Sequence, residues 1–64
     1  MRNKLDALAD ALNAMPLDMQ GAVVLRYHDG LSVSETARVM EIELNEVETL
    51  TREALAFLGA RGVI

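Results

Sequence analysis

The sequence predicts an all-α protein: a small four-helix domain that contains a helix-turn-helix. Aliphatic residues and alanine dominate the chain and only two aromatic residues occur, a composition that favours helices over sheets. Two capping-box patterns, Ser32 with Glu35 and Asn45 with Glu48, each precede apolar residues at helical spacing. The first introduces a short helix and the second a longer one, and a short helix, a tight turn and a longer helix make a helix-turn-helix.

The first helix is predicted over Asn3–Ala14, with Asn3 as its N-cap. Met15 ends this helix, because the residue before a proline is pushed out of the helical region. Its apolar face consists of four residues at helical spacing: Leu5, Leu8, Ala9 and Leu12.

The second helix is predicted from Pro16 to about Asp29, since proline suits the first turn of a helix. Gly30 stops it, because glycine adopts the left-handed conformation found just past a helix end. Four residues are expected to point inward: Leu17, Val23, Val24 and Tyr27. His28 has no second histidine or cysteine beside it, so we interpret it as structural.

The third helix is predicted over Ser32–Met40 and the fourth over Asn45–Leu58, with Glu43 as an alternative first residue. A break of four residues, Glu41 to Leu44, separates the two helices. The fourth helix carries one apolar stripe: Val47, Leu50, Ala54, Leu55 and Leu58.

Length and composition exclude several classes of protein. Sixty-four residues make one domain, spanning residues 1–64. The chain has no cysteine, which excludes disulfides and fits a reducing, cytoplasmic location. Its N-terminus lacks a signal peptide, and no apolar run approaches the ~20 residues of a membrane span, so we expect no membrane contact. With one histidine and no glycine-rich phosphate loop, neither an enzyme nor a metal or cofactor site is expected.

The charge distribution is unusual for a helix-turn-helix protein. The chain carries a net charge of −4, with six Lys and Arg against ten Asp and Glu. Residues 41–53 concentrate this excess, because they hold five glutamates and a single basic residue, Arg52. Nucleic-acid binders usually present a basic face.

A series of short motifs runs through the middle of the chain: Met15-Pro16, Val23–Tyr27, Asp29–Ser32, Glu35–Ala37 and Met40 with Ile42. Together with the apolar register of the fourth helix, these motifs resemble region 4 of bacterial sigma factors of the sigma-70 family, in its extracytoplasmic-function form. The resemblance covers Leu12–Leu58, and Val23–Met40 is its most specific part.

That resemblance implies a four-helix fold of the sigma region 4 type, without a wing. Its last helix would enter the major groove of the −35 promoter element while the helix before it crosses the DNA backbone. The domain would also dock on the flap of RNA polymerase, and anti-sigma proteins could cover it. Carried onto this chain, the candidate DNA contacts are Arg52, Arg38, Thr49 and Ser34.

The last helix departs from the family pattern. The positions that should face the DNA groove are Glu46, Glu48, Thr49, Leu50, Arg52 and Glu53. Three of these six are acidic, and each close contact between a carboxylate and a phosphate costs on the order of 1 kcal/mol in water. In the turn, Glu41 replaces a usual glycine and Glu43 a small hydroxyl residue, whereas Asn45 tolerates unusual backbone angles.

Two functions therefore remain open. The first is a sigma region 4-like transcription module that recognises the −35 element and docks on RNA polymerase. The alternative is a degenerate module that binds polymerase, an anti-sigma factor or a second copy of itself, without DNA. A small rotation of the fourth helix would bury Leu50. If Leu50 is not buried, Leu44, Leu50 and Phe57 form an exposed apolar strip rimmed by glutamates, and such a strip marks a partner site. The candidate partner-binding residues are Leu44, Glu46, Glu48, Leu50, Glu53 and Phe57.

Overall fold

A computed structural model describes residues 3–64 of the chain. Over this range the secondary structure is helical and contains no strand, which confirms the predicted all-α fold. A single π-helical turn, called the π segment below, continues the second helix. The elements in order are α1 (Lys4–Ala14), α2 (Leu17–Val23), the π segment (Val24–His28), α3 (Val33–Met40) and α4 (Leu44–Ala60).

Helix α1 begins as predicted, but its packed face differs from the prediction. The side chain of Asn3 accepts a hydrogen bond from the Asp6 N–H at 2.9 Å and so caps the helix. Leu5 is 74% exposed and Ala9 is also exposed, so both were wrongly placed on the buried face. The packing centre is Ala11, which has no exposed surface and belongs to the main core cluster.

The second predicted helix is divided into two parts. After Pro16, α2 is regular to Val23, and then the backbone widens so that the Asp29 N–H donates to the Val24 carbonyl at 3.0 Å. Two of the four predicted inward residues are wrong: Leu17 is 84% exposed and Tyr27 is 57% exposed. Leu17 is the first residue of α2, whereas the buried residues of this helix, Ala22 and Val23, lie at its other end. Tyr27 swings outward because a π turn advances by a smaller angle per residue than an α turn.

The helix-turn-helix begins at the predicted capping box. The Ser32 hydroxyl accepts from the Glu35 N–H at 3.0 Å, and the Glu35 carboxylate accepts from the Ser32 N–H at 2.9 Å. Helix α3 ends at Glu41, which adopts the left-handed conformation at φ 59° and ψ 45°. Over residues 3–64 it is the only non-glycine residue with a positive φ. The position where the family has glycine therefore has the backbone geometry that glycine favours.

The second predicted capping box is wrong. Glu43 takes the N-cap position of α4, with extended backbone angles and no side-chain cap, and its carbonyl accepts from the Val47 N–H at 3.2 Å. Asn45 is the second helical residue, so it neither caps the helix nor occupies a strained turn position. The strained position lies earlier in the turn, at Glu41.

The core combines small apolar side chains with a few larger ones. One cluster joins α1, α2 and α4 through Ala11, Met15, Val23, Ala54 and Leu58. The predicted α4 stripe is buried at three positions, Val47, Ala54 and Leu58, and half-buried at Leu50 and Leu55. Among residues 3–64 the largest side chains that are completely buried are only a valine and a threonine, Val47 and Thr36. Within the same range no helix is long and apolar enough to cross a membrane.

Candidate nucleic-acid and protein interface

The outer side of α4 is the surface that a helix-turn-helix would present to DNA. Its buried side carries Val47, Thr51, Ala54 and Leu58. The opposite side follows the same helical spacing and is exposed at every position: Asn45, Thr49, Arg52 and Ala56. Glu46 and Glu53 flank this outer line on one side, and Glu48 flanks it on the other.

Five exposed carboxylates surround this surface, which we call the acidic face: Glu41, Glu43, Glu46, Glu48 and Glu53. Within residues 3–64 none of the five has a basic partner within 4.0 Å. Their charges are therefore not neutralised by the fold itself and are available to an external partner.

The four candidate DNA contacts are all exposed, but they form two separate pairs. Arg52 donates through Nη2 to the Thr49 hydroxyl at 3.5 Å, a long hydrogen bond on α4. Ser34 and Arg38 stand four residues apart on α3, so they share one side of that helix. No hydrogen bond between described residues links one pair to the other.

A cation that sequence reasoning mentioned only as part of a motif lies near Arg52. Arg26 donates through Nη1 to the Leu31 carbonyl at 2.7 Å, and both arginines line a hollow of about 330 Å³. The Thr51 hydroxyl and Arg26 Nε are buried there without a hydrogen-bond partner in the described structure. Glu48 lines the same hollow, so its negative charge offsets part of the positive charge there.

The predicted apolar strip is not continuous. Leu44 is 51% exposed, whereas Leu50 and Phe57 are half-buried. Leu50 lines a hollow of about 270 Å³ that also contains Asp18 and Glu46. Phe57 packs against the main core, with the Arg61 guanidinium 4.7 Å from its ring centroid. The three residues thus contribute to different parts of the surface.

An open apolar groove of about 560 Å³ lies between α1, the π segment and α4. Sequence reasoning did not predict it, although two of its walls belong to apolar stripes that were recognised. No Lys, Arg, Asp or Glu among residues 3–64 lines this groove. Its walls include Leu8, Leu12, Val24, Tyr27, Leu55 and Leu58.

Two titratable groups of the described structure, His28 and Glu35, make short side-chain contacts. Within residues 3–64 no three His, Asp or Glu side chains are placed to hold one metal ion. The exposed His28 Nδ1 lies 2.8 Å from the Asp29 carboxylate. Hydrogen bonds from the Ser32 backbone and then its hydroxyl lower the pKa of Glu35, which identifies this carboxylate as part of a helix cap.

Taken together, the helical bundle, the α3–α4 pair and the outward surface of α4 define a helix-turn-helix domain, a class that is common among transcription proteins. The chain belongs to the family described as "Sigma-70, region 4", whose family model matches residues 5–58. This match confirms the resemblance found in the sequence. Comparisons with curated proteins and with solved structures gave no match.

Proposed function

We propose that this chain is a sigma region 4-like transcription module that acts by binding protein, either RNA polymerase or an anti-sigma-type regulator. Its contact with the −35 promoter element is weak or lost. The observation that carries this proposal is the acidic face, whose five carboxylates have no basic partner in residues 3–64.

The electrostatic argument starts from the DNA backbone. Non-specific affinity for DNA comes mainly from Lys and Arg that displace counterions from phosphates. If α4 entered a major groove, Glu46, Glu48 and Glu53 would approach phosphates, at a cost on the order of 1 kcal/mol each. Arg52 is the single basic residue between Glu41 and Ala60. One arginine does not offset three carboxylates, so the net electrostatic term opposes binding.

Two surfaces support a protein partner instead. The groove offers an apolar surface of the kind that apolar side chains of a partner can fill. The acidic face complements a basic surface, because carboxylates steer a positively charged partner and accept its hydrogen bonds. Both surfaces belong to one small domain, so a partner could use either alone or both.

Direct recognition of the −35 element is the second candidate function. The observation that favours it is the pair of arginines, Arg26 and Arg52, in one hollow beside the start of α3. Exposed Ser34 and Arg38 on α3 could add contacts to the DNA backbone. We rank this function second, because Glu48 lines that same hollow.

Fluorescence anisotropy with labelled duplex DNA at 50 mM salt tests the electrostatic argument, using both −35-containing and random duplexes. The wild-type chain should bind more weakly than about 10 μM. Removing two carboxylates with Glu46→Gln and Glu53→Gln should strengthen binding about tenfold or more. The control, Asn13→Lys with Ala14→Lys, gives the same net charge at exposed positions of α1 and should change binding less than about threefold.

Tight wild-type binding with a steep salt dependence would refute the proposal and favour promoter recognition. Titration of core RNA polymerase, followed by interferometry, tests the protein partner. We expect a complex to form. If the acidic face carries it, the Glu46→Gln, Glu53→Gln variant binds more weakly than the wild type. If the apolar groove carries it, the variant binds as tightly as the wild type. Light scattering of the pure chain measures self-association in the same samples.

A further inference from the structure

An exposed apolar surface runs from the first turn of α1 into the groove between α1, the π segment and α4. We propose that this surface is the contact between two copies of the chain, which form a two-fold symmetric dimer through α1 and the groove. Dimer formation requires neither DNA nor RNA polymerase and is measured on the pure chain.

Three leucines on one side of α1 form the first part of this surface. Leu5, Leu8 and Leu12 follow one another at three and four residues, so their side chains share one helix face. Leu8 and Leu12 line the groove, whereas Leu5 is 74% exposed. The apolar stripe of α1 is therefore longer than the part that the rest of the chain covers, and its outer end is left to solvent.

Two side chains from other elements extend the surface at the edge of the groove. Tyr27 on the π segment and Ile64 after α4 both line the groove, yet they are 57% and 69% exposed. A groove bordered by projecting apolar side chains is self-complementary, because the projecting side chains of one copy can enter the groove of the other. A two-fold dimer requires this property, since the same patch is used on both subunits.

The total exposed area of the chain supports burial by a second copy. A monomeric protein of 7.0 kDa is expected to expose roughly 4,000 Å², whereas this chain exposes 4424 Å². A specific interface at the small end of the usual range takes about 600 Å² from each partner. The excess over a typical monomer is therefore of the same order as the area that each copy of a dimer buries.

Charge favours contact at this surface over contact elsewhere. The net charge of −4 makes two copies repel each other, so they meet most readily where charged side chains are few. No Lys, Arg, Asp or Glu among residues 3–64 lines the groove. The acidic face ends at Glu53, whereas the groove uses Leu55 and Leu58 further along α4. Pairing through the groove therefore buries apolar surface without placing the two acidic faces against each other.

Helical geometry indicates how the two copies pair. Along the axis of α1, Leu5 lies about 4.5 Å before Leu8, and Leu12 lies about 6 Å after it. A two-fold axis beside Leu8 therefore places Leu5 of one copy opposite Leu12 of the other, with the two α1 helices antiparallel. Leu5 then enters the groove of the second copy next to Leu12. Ala9, which is exposed and adjacent to Leu8, comes close to the same residue of the second copy.

The dimer regulates access to the groove. The same apolar walls cannot hold a second copy and another protein at once, so dimer formation competes with any partner that uses the groove. The acidic face stays exposed in the dimer and remains available to a basic partner.

Sedimentation equilibrium of the full chain between about 10 and 500 μM tests dimer formation. We expect an average mass that rises with concentration from 7.0 kDa toward twice that value. Sodium chloride should strengthen the dimer, because salt screens the repulsion between two acidic chains. A chain that stays at 7.0 kDa throughout, or a dimer that salt weakens, would overturn the proposal.

Glutamine variants locate the contact. Leu5→Gln should raise the Kd of the dimer about tenfold or more, because symmetry places the change twice in one interface. Leu17→Gln is the matched control, since Leu17 is 84% exposed on α2 outside the groove, and it should change the Kd less than about threefold. Ile64→Gln replaces Leu5→Gln if circular dichroism shows that the latter does not fold. Equal effects of the test and control variants would place the contact elsewhere and overturn the proposal.

Cross-linking tests the antiparallel pairing of the α1 helices. The chain has no cysteine, so a single introduced cysteine reports on one position. A short bis-maleimide should join two copies of Ala9→Cys but not two copies of Ala56→Cys, which lies on the outer side of α4. No cross-link at Ala9→Cys, or a stronger one at Ala56→Cys, would exclude pairing through α1.

Discussion

At the scale of single residues, the turn of the helix-turn-helix holds one residue in an unfavourable backbone conformation. Glu41 adopts left-handed backbone angles, which cost a residue with a Cβ atom roughly 1–2 kcal/mol. Sequence comparison with the family pattern identified this position as one where glycine is usual. The structure supplies the reason, because the chain must reverse from α3 into α4 within three residues.

Replacing this residue should stabilise the fold. We expect Glu41→Gly to raise the free energy of unfolding by roughly 0.5–1 kcal/mol, the relief of strain minus the extra entropy of glycine in the unfolded chain. Urea denaturation followed by circular dichroism measures the change. The control is Glu43→Gly, whose backbone is extended and which should be neutral or destabilising. Equal stabilisation by both would indicate that charge removal, rather than backbone strain, is the cause.

The capping box of α3 gives a pH dependence with a defined sign. The pKa of Glu35 lies below its ordinary value of 4.5 because the Ser32 backbone N–H and hydroxyl stabilise its charged form. A carboxyl group whose pKa is lower in the folded chain than in the unfolded chain stabilises the fold when the pH is above its unfolded-state pKa. This contribution is lost as the pH falls through the folded-state pKa. The stability advantage of the wild type over Glu35→Gln should therefore shrink as the pH falls from about 5 toward 3.

Thermal melts of both proteins across this pH range measure that difference. The comparison cancels the titration of the other carboxylates, which both proteins share. Ser32→Ala removes the hydroxyl acceptor and should cost about 1 kcal/mol at neutral pH. A stability difference that is constant with pH would contradict the assignment of the carboxylate to the cap.

At the scale of helices, α3 carries a buried polar atom with no described partner. Thr36 is completely buried and its hydroxyl has no hydrogen-bond partner in the structure. Valine has nearly the same shape without the hydroxyl. Thr36→Val should therefore raise the free energy of unfolding by about 1 kcal/mol.

Chemical denaturation measures this effect, and Ser34→Val provides a control. Ser34 is exposed on the same helix, so this change also introduces valine into α3 without removing a buried hydroxyl and should not stabilise. Destabilisation by Thr36→Val would mean that the hydroxyl makes a stabilising hydrogen bond in solution.

The existence of the helices could be predicted from periodicity and capping, whereas the buried and exposed sides of several helices could not. The cap at Asn3 and the capping box at Ser32 depend on residues within one turn, and both are confirmed. The orientation of Tyr27 depends on the π widening, which no spacing rule signals. The start of α4 was placed too late because Asn45 resembles a cap, while the extended backbone of Glu43 takes that position.

At the scale of the whole molecule, the excess negative charge should make stability depend on salt. The carboxylates of the acidic face repel one another, and salt screens this repulsion. Raising sodium chloride from about 20 to 500 mM should raise the melting temperature by a few degrees, since about 1 kcal/mol corresponds to roughly 4–8 °C in a domain of this size. The Glu46→Gln, Glu53→Gln variant should show a smaller rise. An equal rise in both proteins would exclude repulsion at these two positions as the cause.

The candidate surfaces could be predicted only in part. Charge counting identified the acidic character of α4, because the number of glutamates in a segment does not depend on how the helix is oriented. The apolar groove was missed, since it requires side chains from three elements to leave a space between them. Arg26 was recognised as part of a motif, but its position beside Arg52 depends on the path of the chain around Gly30.

The incomplete burial of apolar side chains affects how the molecule responds to temperature. Part of the apolar surface is already hydrated before the chain unfolds, because six large apolar residues among residues 3–64 stay more than half exposed: Leu5, Leu17, Tyr27, Val39, Leu44 and Ile64. The heat capacity increment of unfolding, which arises mainly from newly wetted apolar surface, is therefore small for the chain length. Its stability curve is correspondingly flat, and calorimetry should show a broad transition with little loss of stability toward the freezing point.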